Sequence, residues 1–266
     1  MGKLENYDGA FLQVRIQGKI AVIELNRPPA NALDIPTIKE IRGAVDAVNE
    51  DKDIRVAIIR SSNPKIFCGG ADISTVEDHD VEAMDLLGKV IKDLLLAMRG
   101  SSKIYLAEIN GHCLGGGLEL ALGCDFRFAS SGSAKYGLPE INLGLFPGGG
   151  GIQLAGRLIG QQKAFRLALT GELISVDKAL EIGLIDEIFS PEQLREETVK
   201  FAEKIANGAM VAISNMKQAV YRGLYMSIEQ AFDFERQMHK QLVATEDCKE
   251  GAKAYREKRA PQYQGK

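Results

Sequence analysis

The chain has 266 residues, of which 33 are Lys or Arg and 36 are Asp or Glu, so its formal net charge is −3. This balance argues against a nucleic-acid partner, because phosphate binding needs a basic surface, and no apolar run is long enough to span a membrane. Four scattered cysteines with no recognisable signal peptide predict a cytoplasmic protein with reduced thiols. Three dispersed histidines give no reason to expect a metal site.

The first part of the chain alternates predicted strands and helices. Alternating apolar residues predict a β-hairpin over 11–25 with its turn at Gly18. The next elements are a helix from Pro36, an apolar strand over 55–60, a helix over 80–98 and a strand over 104–109. The inner face of the helix over 80–98 is predicted to carry Leu86, Val90, Leu94 and Leu95. This order predicts an α/β fold whose parallel sheet has right-handed crossovers.

The second part of the chain is predominantly helical after a glycine-rich middle. Predicted helices cover 161–169, 175–182, 191–206, 211–222, 227–243 and 249–256. The last strand is expected near Ile188. We therefore divide the chain into a core with the active site at 1–190 and a helical region for packing and oligomerisation at 191–266.

Glycine accounts for 28 of the 266 residues, and twelve of these lie between Gly111 and Gly151. The usual content is about 7%. The dinucleotide-binding pattern G-x-G-x-x-G, the P-loop, the nucleophile elbow and H-E-x-x-H are all missing from the sequence. The glycines therefore indicate either tight turns and helix packing or a close approach of bare backbone to a ligand.

Two glutamates stand alone among apolar residues and glycines. Glu119 is the only charge in 114–123, and Glu140 is the only charge in 138–147. Burial raises a carboxyl pKa, which suits acid–base chemistry on a neutral substrate. The glycines at 115–117 precede a predicted helix start, where free N–H groups suit an oxyanion. The alternative is that both carboxylates only hydrogen-bond to loop backbone.

Several motifs run in one order along nearly the whole chain. They are LNRP at 25–28, FCGGADI at 67–73, NGHCLGGGLEL at 110–120, CD at 124–125, PEINLGLFPGGGG at 139–151, LTG at 169–171 and EKR at 257–259. In combination they resemble the enoyl-CoA hydratase/isomerase (crotonase) superfamily. The resemblance implies a crotonase-type ββα superhelix with a C-terminal helical trimerisation region.

The resemblance also implies a reaction and its residues. The backbone N–H groups of Ala71 and Gly116 would form an oxyanion hole for the thioester carbonyl. Glu119 would activate the water that attacks C3 of a trans-2-enoyl-CoA, and Glu140 would pass a proton to C2. Family isomerases typically keep a carboxylate only at the second position, so the presence of both favours a hydro-lyase, the hydratase. CoA enters as part of the substrate, and no metal or other cofactor is implied.

Further substrate contacts follow from the same resemblance. The expected substrate-binding and CoA-binding residues are Ala30, Ala32, Gly70, Asp72, Ile73, Ser74, Pro139 and Gly148, and weaker CoA candidates are Lys258 and Tyr263. The expected assembly is a homotrimer or a dimer of trimers. Two positions depart from the family pattern: Gly69 replaces the usual Ala or Ser, and Leu154 replaces a frequent Arg.

Two other functions compete with the hydratase interpretation. The first is another crotonase-type reaction, namely double-bond isomerisation or a different acyl-CoA lyase activity. The second is a non-catalytic binding protein, which is disfavoured because both glutamates and both oxyanion positions are present and the net charge is −3. His112 could act as a general base, although a polar loop role is the simpler interpretation. Cys68, Cys113 and Cys124 are interpreted as packing residues.

Overall fold

The computed structural model describes residues 5–72, 74 and 80–266. The strands are β1 (Tyr7–Asp8), β2 (Leu12–Gln17), β3 (Ile20–Leu25), β4 (Val56–Ser61), β5 (Ile66–Cys68), β6 (Ile104–Ile109), β7 (His112–Leu114), β8 (Phe126–Ser130), β9 (Lys135–Gly137), β10 (Ile174–Ser175) and β11 (Glu187–Phe189). The helices are α1 (Ile35–Glu50), α2 (Val81–Gly100), α3 (Gly116–Gly123), α4 (Gly151–Ile159), α5 (Gln161–Thr170), α6 (Val176–Glu181), α7 (Leu194–Ala206), α8 (Met210–Gly223), α9 (Ile228–Val243) and α10 (Glu246–Glu257), with a 3₁₀ helix at Pro139–Leu143.

The larger sheet has the order β1-β2-β3-β4-β6-β8-β11. β2 and β3 form the predicted antiparallel hairpin, and β3, β4, β6, β8 and β11 are parallel neighbours. α1 and α2 connect the parallel strands β3, β4 and β6, as the alternating sequence pattern predicted. α1 begins where it was expected, because Asp34 caps it by accepting a hydrogen bond from the Thr37 N–H.

A second sheet, β10-β9-β7-β5, was not predicted. Its strands have only two or three residues each, which is too short for a period-2 pattern to be recognised. β5, β7 and β9 are parallel neighbours. Their carboxyl ends therefore lie together, and the loops that follow β5 and β7 meet at one edge.

Two helix predictions need correction. Leu86 was placed on the inner face of α2, but it is 42% exposed, and Leu87 and Ile91 are buried in its place. A shift of one residue turns a helical side chain by about 100°, which moves it off the core face. α4 was missed altogether, because it begins inside the glycine run at Gly151 and has no side-chain cap at its start.

The C-terminal helices pack in different ways. Ala202 and Ala206 of α7 pack into an apolar cluster on one face of the large sheet. α8 is attached to the core by the buried Lys217, whose ammonium group contacts the Asp125 carboxylate at 2.9 Å. Among the described residues, no helix has the length and apolar character needed to cross a bilayer. The division of the chain near residue 190 stays a prediction.

Candidate active site

Glu119 lies in the first turn of α3 and is 2% exposed. Its Oε1 accepts hydrogen bonds from the backbone N–H groups of Gly149 at 3.0 Å and Gly151 at 2.8 Å. Burial raises the pKa of Glu119, and the donated hydrogen bonds from the glycine loop partly oppose that shift. A Cβ at Gly149 or Gly151 would crowd the Glu119 side chain, so the bare backbone of these glycines permits the close approach of the loop to the carboxylate.

Glu140 lies in the 3₁₀ helix that follows β9. Its Oε2 is buried and has no hydrogen-bond partner among the described residues. Burial raises the pKa of Glu140 to about 7, and the nearby charge of Glu119 contributes to the shift. A carboxyl group with such a pKa exchanges a proton readily near neutral pH.

The two glutamates line one cavity of about 240 Å³. Gly70, Ala71 and Gly116 line the same cavity, on the side formed by the loops after β5 and β7. Three chain segments that are far apart in sequence therefore bring two carboxyl groups and two glycine-rich turns to one place. The pairing of β5 with β7 and β7 with β9 accounts for this convergence.

The N–H groups of Ala71 and Gly116 have no acceptor among the described residues. Ala71 forms a parallel bridge with Leu33: the Leu33 N–H donates to Gly70 O, and the Asp72 N–H donates to Leu33 O. The Ala71 N–H between these two bonds therefore points away from Leu33. Gly116 is the first residue of α3, where N–H groups have no partner within the helix. Both free donors border the cavity.

Glycine is required at two turns that hold these amides. Gly70 has a φ of +104°, and a Cβ there would lie 3.0 Å from Leu114 O and 3.4 Å from the Gly116 nitrogen. The turns that carry the Ala71 and Gly116 amides are therefore in direct contact. At Gly117 a Cβ would overlap the carbonyl of Cys68, so α3 rests directly on the end of β5.

The carboxylate of Asp72 is held within the chain by an ion pair, and its predicted contact with substrate stays a prediction. Its Oδ2 contacts the Arg27 guanidinium at 2.8 Å, and the same guanidinium contacts Asp34 at 2.9 Å. The Arg27 hydrogen bond lowers the pKa of Asp72. Arg27 also donates to Ala32 O at 2.9 Å. Arg27, which the sequence analysis included in the LNRP motif without a role of its own, thus joins the turn after β3 to the loop after β5 that carries the Ala71 amide.

The other predicted binding residues surround this region. Ala30 O accepts a hydrogen bond from the Gly69 N–H at 2.8 Å, so the loop with Ala30 and Ala32 lies beside the turn that carries the Ala71 amide. Pro139 and Gly148 line the cavity. The N–H and hydroxyl groups of Ser74 both donate to Asp72. Ile73 lies outside the described residues.

The two departures from the family pattern have local explanations. A Cβ at Gly69 would lie 3.3 Å from both Cβ and O of Ala30, so glycine permits the close approach of the two loops. Leu154 lies in α4 and packs against the main apolar core. An apolar contact therefore anchors this segment where other family members often have an arginine.

The C-terminal candidates lie away from the cavity within one chain. Tyr263 packs against Gly251 of α10, and Lys258 ends that helix. The adjacent Gln264 carbonyl accepts a hydrogen bond from Arg55 at 2.8 Å. Arg55 lies directly before the first residue of β4. The loop with Ala30 contacts the last residue of β4 through the hydrogen bond from Asn31 to Ser61. The two ends of this six-residue strand are about 17 Å apart. A role in CoA binding, by the same or a neighbouring subunit, stays a prediction.

The other candidate residues have structural surroundings. The Nδ1 of His112 accepts a hydrogen bond from the Lys135 N–H, which joins the start of β7 to the start of β9. Cys68, Cys113 and Cys124 are buried free thiols. Burial raises the pKa of each of these thiols, and that of Cys68 reaches about 12. Thiols with such pKa values are protonated at neutral pH and act as apolar packing groups.

Comparison with known proteins places the chain in a family. Residues 15–266 match the family described as Enoyl-CoA hydratase/isomerase, and the chain belongs to that family. It is 40% identical over 245 residues to a crotonyl-CoA hydratase of Syntrophomonas wolfei, covering 91% of this chain and 93% of that protein. It is 38% identical over 248 residues to a short-chain-enoyl-CoA hydratase of Clostridium acetobutylicum, covering 91% and 93%.

A solved structure extends this similarity to three dimensions. A crystal structure of an enoyl-CoA hydratase from Geobacillus kaustophilus HTA426 matches with a TM-score of 0.95 and 38% identity, covering 98% of this chain and 99% of that one. The predicted crotonase-type α/β fold is therefore confirmed. The helical region from α7 to α10 is included in the match, since only 2% of the chain is left uncovered.

Proposed function

We propose that the protein is an enoyl-CoA hydratase, a hydro-lyase that adds water reversibly to a trans-2-enoyl-CoA and gives a 3-hydroxyacyl-CoA. The observation that carries this proposal is the pair of glutamates, Glu119 and Glu140, on one cavity with two free backbone donors. The relatives named crotonyl-CoA hydratase and short-chain-enoyl-CoA hydratase support the same reaction. Such a reaction belongs to fatty-acid or related acyl-CoA breakdown.

In the proposed mechanism the thioester carbonyl accepts hydrogen bonds from the Ala71 and Gly116 N–H groups. Glu119 removes a proton from water as the hydroxide adds to C3, and the electron pair of the double bond moves to the thioester oxygen. The two amides stabilise this enolate, assisted by the positive end of α3. Glu140 then donates its proton to C2. Transfer of the proton from Glu119 to Glu140 restores the starting state.

The proposed reaction requires only proton transfers and oxyanion stabilisation. We therefore propose that no metal or redox cofactor takes part and that CoA is present only as part of the substrate. We also propose that the reaction occurs in the cytoplasm, where the free thiols of Cys68, Cys113, Cys124 and Cys248 would stay reduced. Turnover that persists after dialysis against a chelator would support the first of these proposals.

The decisive measurement is the loss of the enoyl-thioester absorbance of crotonyl-CoA. We expect hydration by the unmodified protein, and a decrease in kcat of at least about 100-fold in Glu119→Gln and in Glu140→Gln, because each variant lacks one proton-transfer group. Glu108→Gln is the matched control, since Glu108 is also a buried carboxyl group but lies near Arg60 and Arg195 on the other face of the sheet. It should keep most of the activity.

The alternative in the same family is isomerisation of a 3-enoyl-CoA. A protein that leaves crotonyl-CoA and longer 2-enoyl-CoA substrates unchanged, yet converts a 3-enoyl to a 2-enoyl thioester, is an isomerase. A protein that does neither is a different acyl-CoA lyase or the non-catalytic alternative. The same absorbance band distinguishes all three outcomes, because hydration removes it and isomerisation creates it.

We further propose that the chain assembles as a homotrimer or a dimer of trimers. The support is a stripe of exposed apolar side chains on α8 and α9, in which Met216, Val220 and Phe232 are each more than half exposed and line one groove. Apolar patches of this kind are typical of subunit interfaces.

A further inference from the structure

The guanidinium of Arg27 binds acceptors from two loops beside the cavity. Its Nη2 contacts Asp34 Oδ2 at 2.9 Å and Asp72 Oδ2 at 2.8 Å, and its Nη1 donates to Ala32 O at 2.9 Å. Ala32 and Asp34 lie in the loop before α1, whereas Asp72 lies in the loop after β5. One side chain therefore holds the two loops together, and the proposed mechanism gives it no role.

The same two loops fix the direction of the Ala71 amide. The Leu33 N–H donates to Gly70 O at 2.8 Å, and the Asp72 N–H donates to Leu33 O at 2.9 Å, so Ala71 lies between two hydrogen bonds to one residue. A change in the separation of the loops therefore moves the Ala71 N–H relative to the cavity. An oxyanion donor is effective only at about 2.7–3.1 Å from the oxygen that it stabilises. Small shifts of the loop after β5 thus matter for the reaction.

The charge of Arg27 keeps two carboxylates close together. Asp34 and Asp72 contact the same nitrogen, and the side chains of all three residues are at most one quarter exposed. Without the guanidinium, two like charges would face each other where water screens them only in part. Asp34 is anchored by the Thr37 N–H at the start of α1, so the loop with Asp72 would move, and the Ala71 N–H would move with it.

We propose that Arg27 is a positioning residue for the oxyanion hole: by neutralising Asp34 and Asp72, it keeps the Ala71 N–H directed at the thioester oxygen. The guanidinium is occupied by three acceptors of the chain itself, so its effect on the reaction passes through Ala71. The inference rests on the proposed function, because it takes the Ala71 amide as a donor to the thioester carbonyl.

The first test separates kcat from KM for crotonyl-CoA. Arg27→Gln should lower kcat by at least about tenfold, because the enolate is stabilised less, and should change KM by less than about threefold. Arg42→Gln is the matched control and should keep the parental kcat, since Arg42 also pairs with a carboxylate, that of Asp46, but contacts α2 and not the Ala71 loop. A higher KM at unchanged kcat would overturn the inference in favour of a direct contact with substrate.

A second substitution tests whether repulsion between the carboxylates is the cause. In the double variant Arg27→Gln, Asp34→Asn one of the two facing charges is absent, and asparagine still caps α1. Its kcat should be at least about fivefold higher than that of Arg27→Gln, because the repulsion is removed. Should Arg27→Gln not fold, recovery of folded and active enzyme in the double variant makes the same comparison. A double variant that improves neither kcat nor the yield of folded protein would overturn the inference.

The infrared carbonyl band of a bound saturated thioester reports on the oxyanion hole without turnover. In butanoyl-CoA, isotopically labelled at its thioester carbonyl, hydrogen bonds from the two amides lower the stretching frequency relative to the free compound. This lowering should be reduced by at least about half in Arg27→Gln and should be unchanged in Arg42→Gln. An unshifted band in the parent, or the same band in Arg27→Gln and the parent, would overturn the inference. The expected bands in a protein that does not hydrate crotonyl-CoA would support it and would count against the hydratase proposal alone.

Discussion

The two catalytic candidates, Glu119 and Glu140, differ in how many hydrogen bonds stabilise the ionised carboxylate. Glu119 receives two backbone hydrogen bonds that stabilise its ionised form, while Glu140 has a buried oxygen without a partner. Environments that separate the pKa values of two carboxyl groups assign them different roles. Below about pH 7 the pair is therefore expected to carry one proton, and the hydrogen bonds that Glu119 accepts favour the location of this proton on Glu140.

This single shared proton predicts the pH dependence of the reaction. The pKa of Glu140 is raised to about 7, so kcat/KM should fall above that pH as the pair loses its proton, approaching tenfold per pH unit. Hydration releases no net proton, and the equilibrium constant is therefore independent of pH. Hydration and dehydration must then show the same profile, which initial rates in both directions will measure.

Glu140→Gln provides the control for the pH profile. This variant has no ionisable group at position 140, so the decline near pH 7 should disappear from its residual activity. A profile of the unmodified enzyme that stays flat from pH 6 to pH 9 would contradict the assignment. The fitted values belong to the coupled pair, since Glu119 and Glu140 influence each other's titration.

The sequence allowed some site residues to be found and concealed others. Glu119 and Glu140 could be identified because each is an isolated charge in an apolar, glycine-rich segment. Arg27 carried no comparable signal: its carboxylate partner Asp72 is 45 positions away, and only the folded chain brings the two groups to 2.8 Å. The carboxylate of Asp72 is thereby occupied, and the substrate contact that the family resemblance implies for Asp72 stays a prediction.

At the scale of elements, the active site depends on how closely α3 approaches β5. α3 carries both the Gly116 amide and Glu119, and its position is set where Gly117 rests on the Cys68 carbonyl. Larger elements such as β3, β4 and α1 were predictable because their apolar periodicity extends over six or more residues. The second sheet was not predictable from periodicity, because its short strands pair with segments that are distant in the sequence.

We predict opposite effects on stability for two glycine-to-alanine substitutions, one at the contact between Gly117 and Cys68 and one at a position with open space. Gly117→Ala should lower the free energy of unfolding by about 1–3 kcal/mol, because the added methyl group overlaps backbone, and kcat/KM should fall as α3 moves. Gly43→Ala in α1 has open space at its Cβ and should stabilise the protein by up to about 1 kcal/mol.

Denaturant unfolding at one protein concentration will measure the free energy of unfolding of both variants. A Gly117→Ala variant as stable and active as the parent would show that α3 does not need this close contact.

On the scale of the whole molecule, a buried polar network connects the C-terminal helices to the core. Besides Asp125, the Lys217 ammonium group donates to the carbonyl oxygens of Met98 and Lys103. The Tyr221 hydroxyl donates to Asp125 at 2.8 Å. This network fixes α8 in place, yet the outer faces of α8 and α9 remain apolar and exposed. A fixed apolar surface of this kind is suited to a rigid subunit contact.

The exposed stripe predicts the mass of the protein in solution. Light scattering after size exclusion should give three or six times the chain mass of 29.0 kDa. The double variant Val220→Ser, Phe232→Ser should dissociate to smaller species, because both side chains are more than 60% exposed in the single chain and line the groove between α8 and α9. Gln237→Ser, an exposed polar position on α9, is the matched control and should keep the parental mass. A parental protein that elutes at 29.0 kDa would contradict the proposed assembly and would leave the α8 and α9 face without a subunit partner.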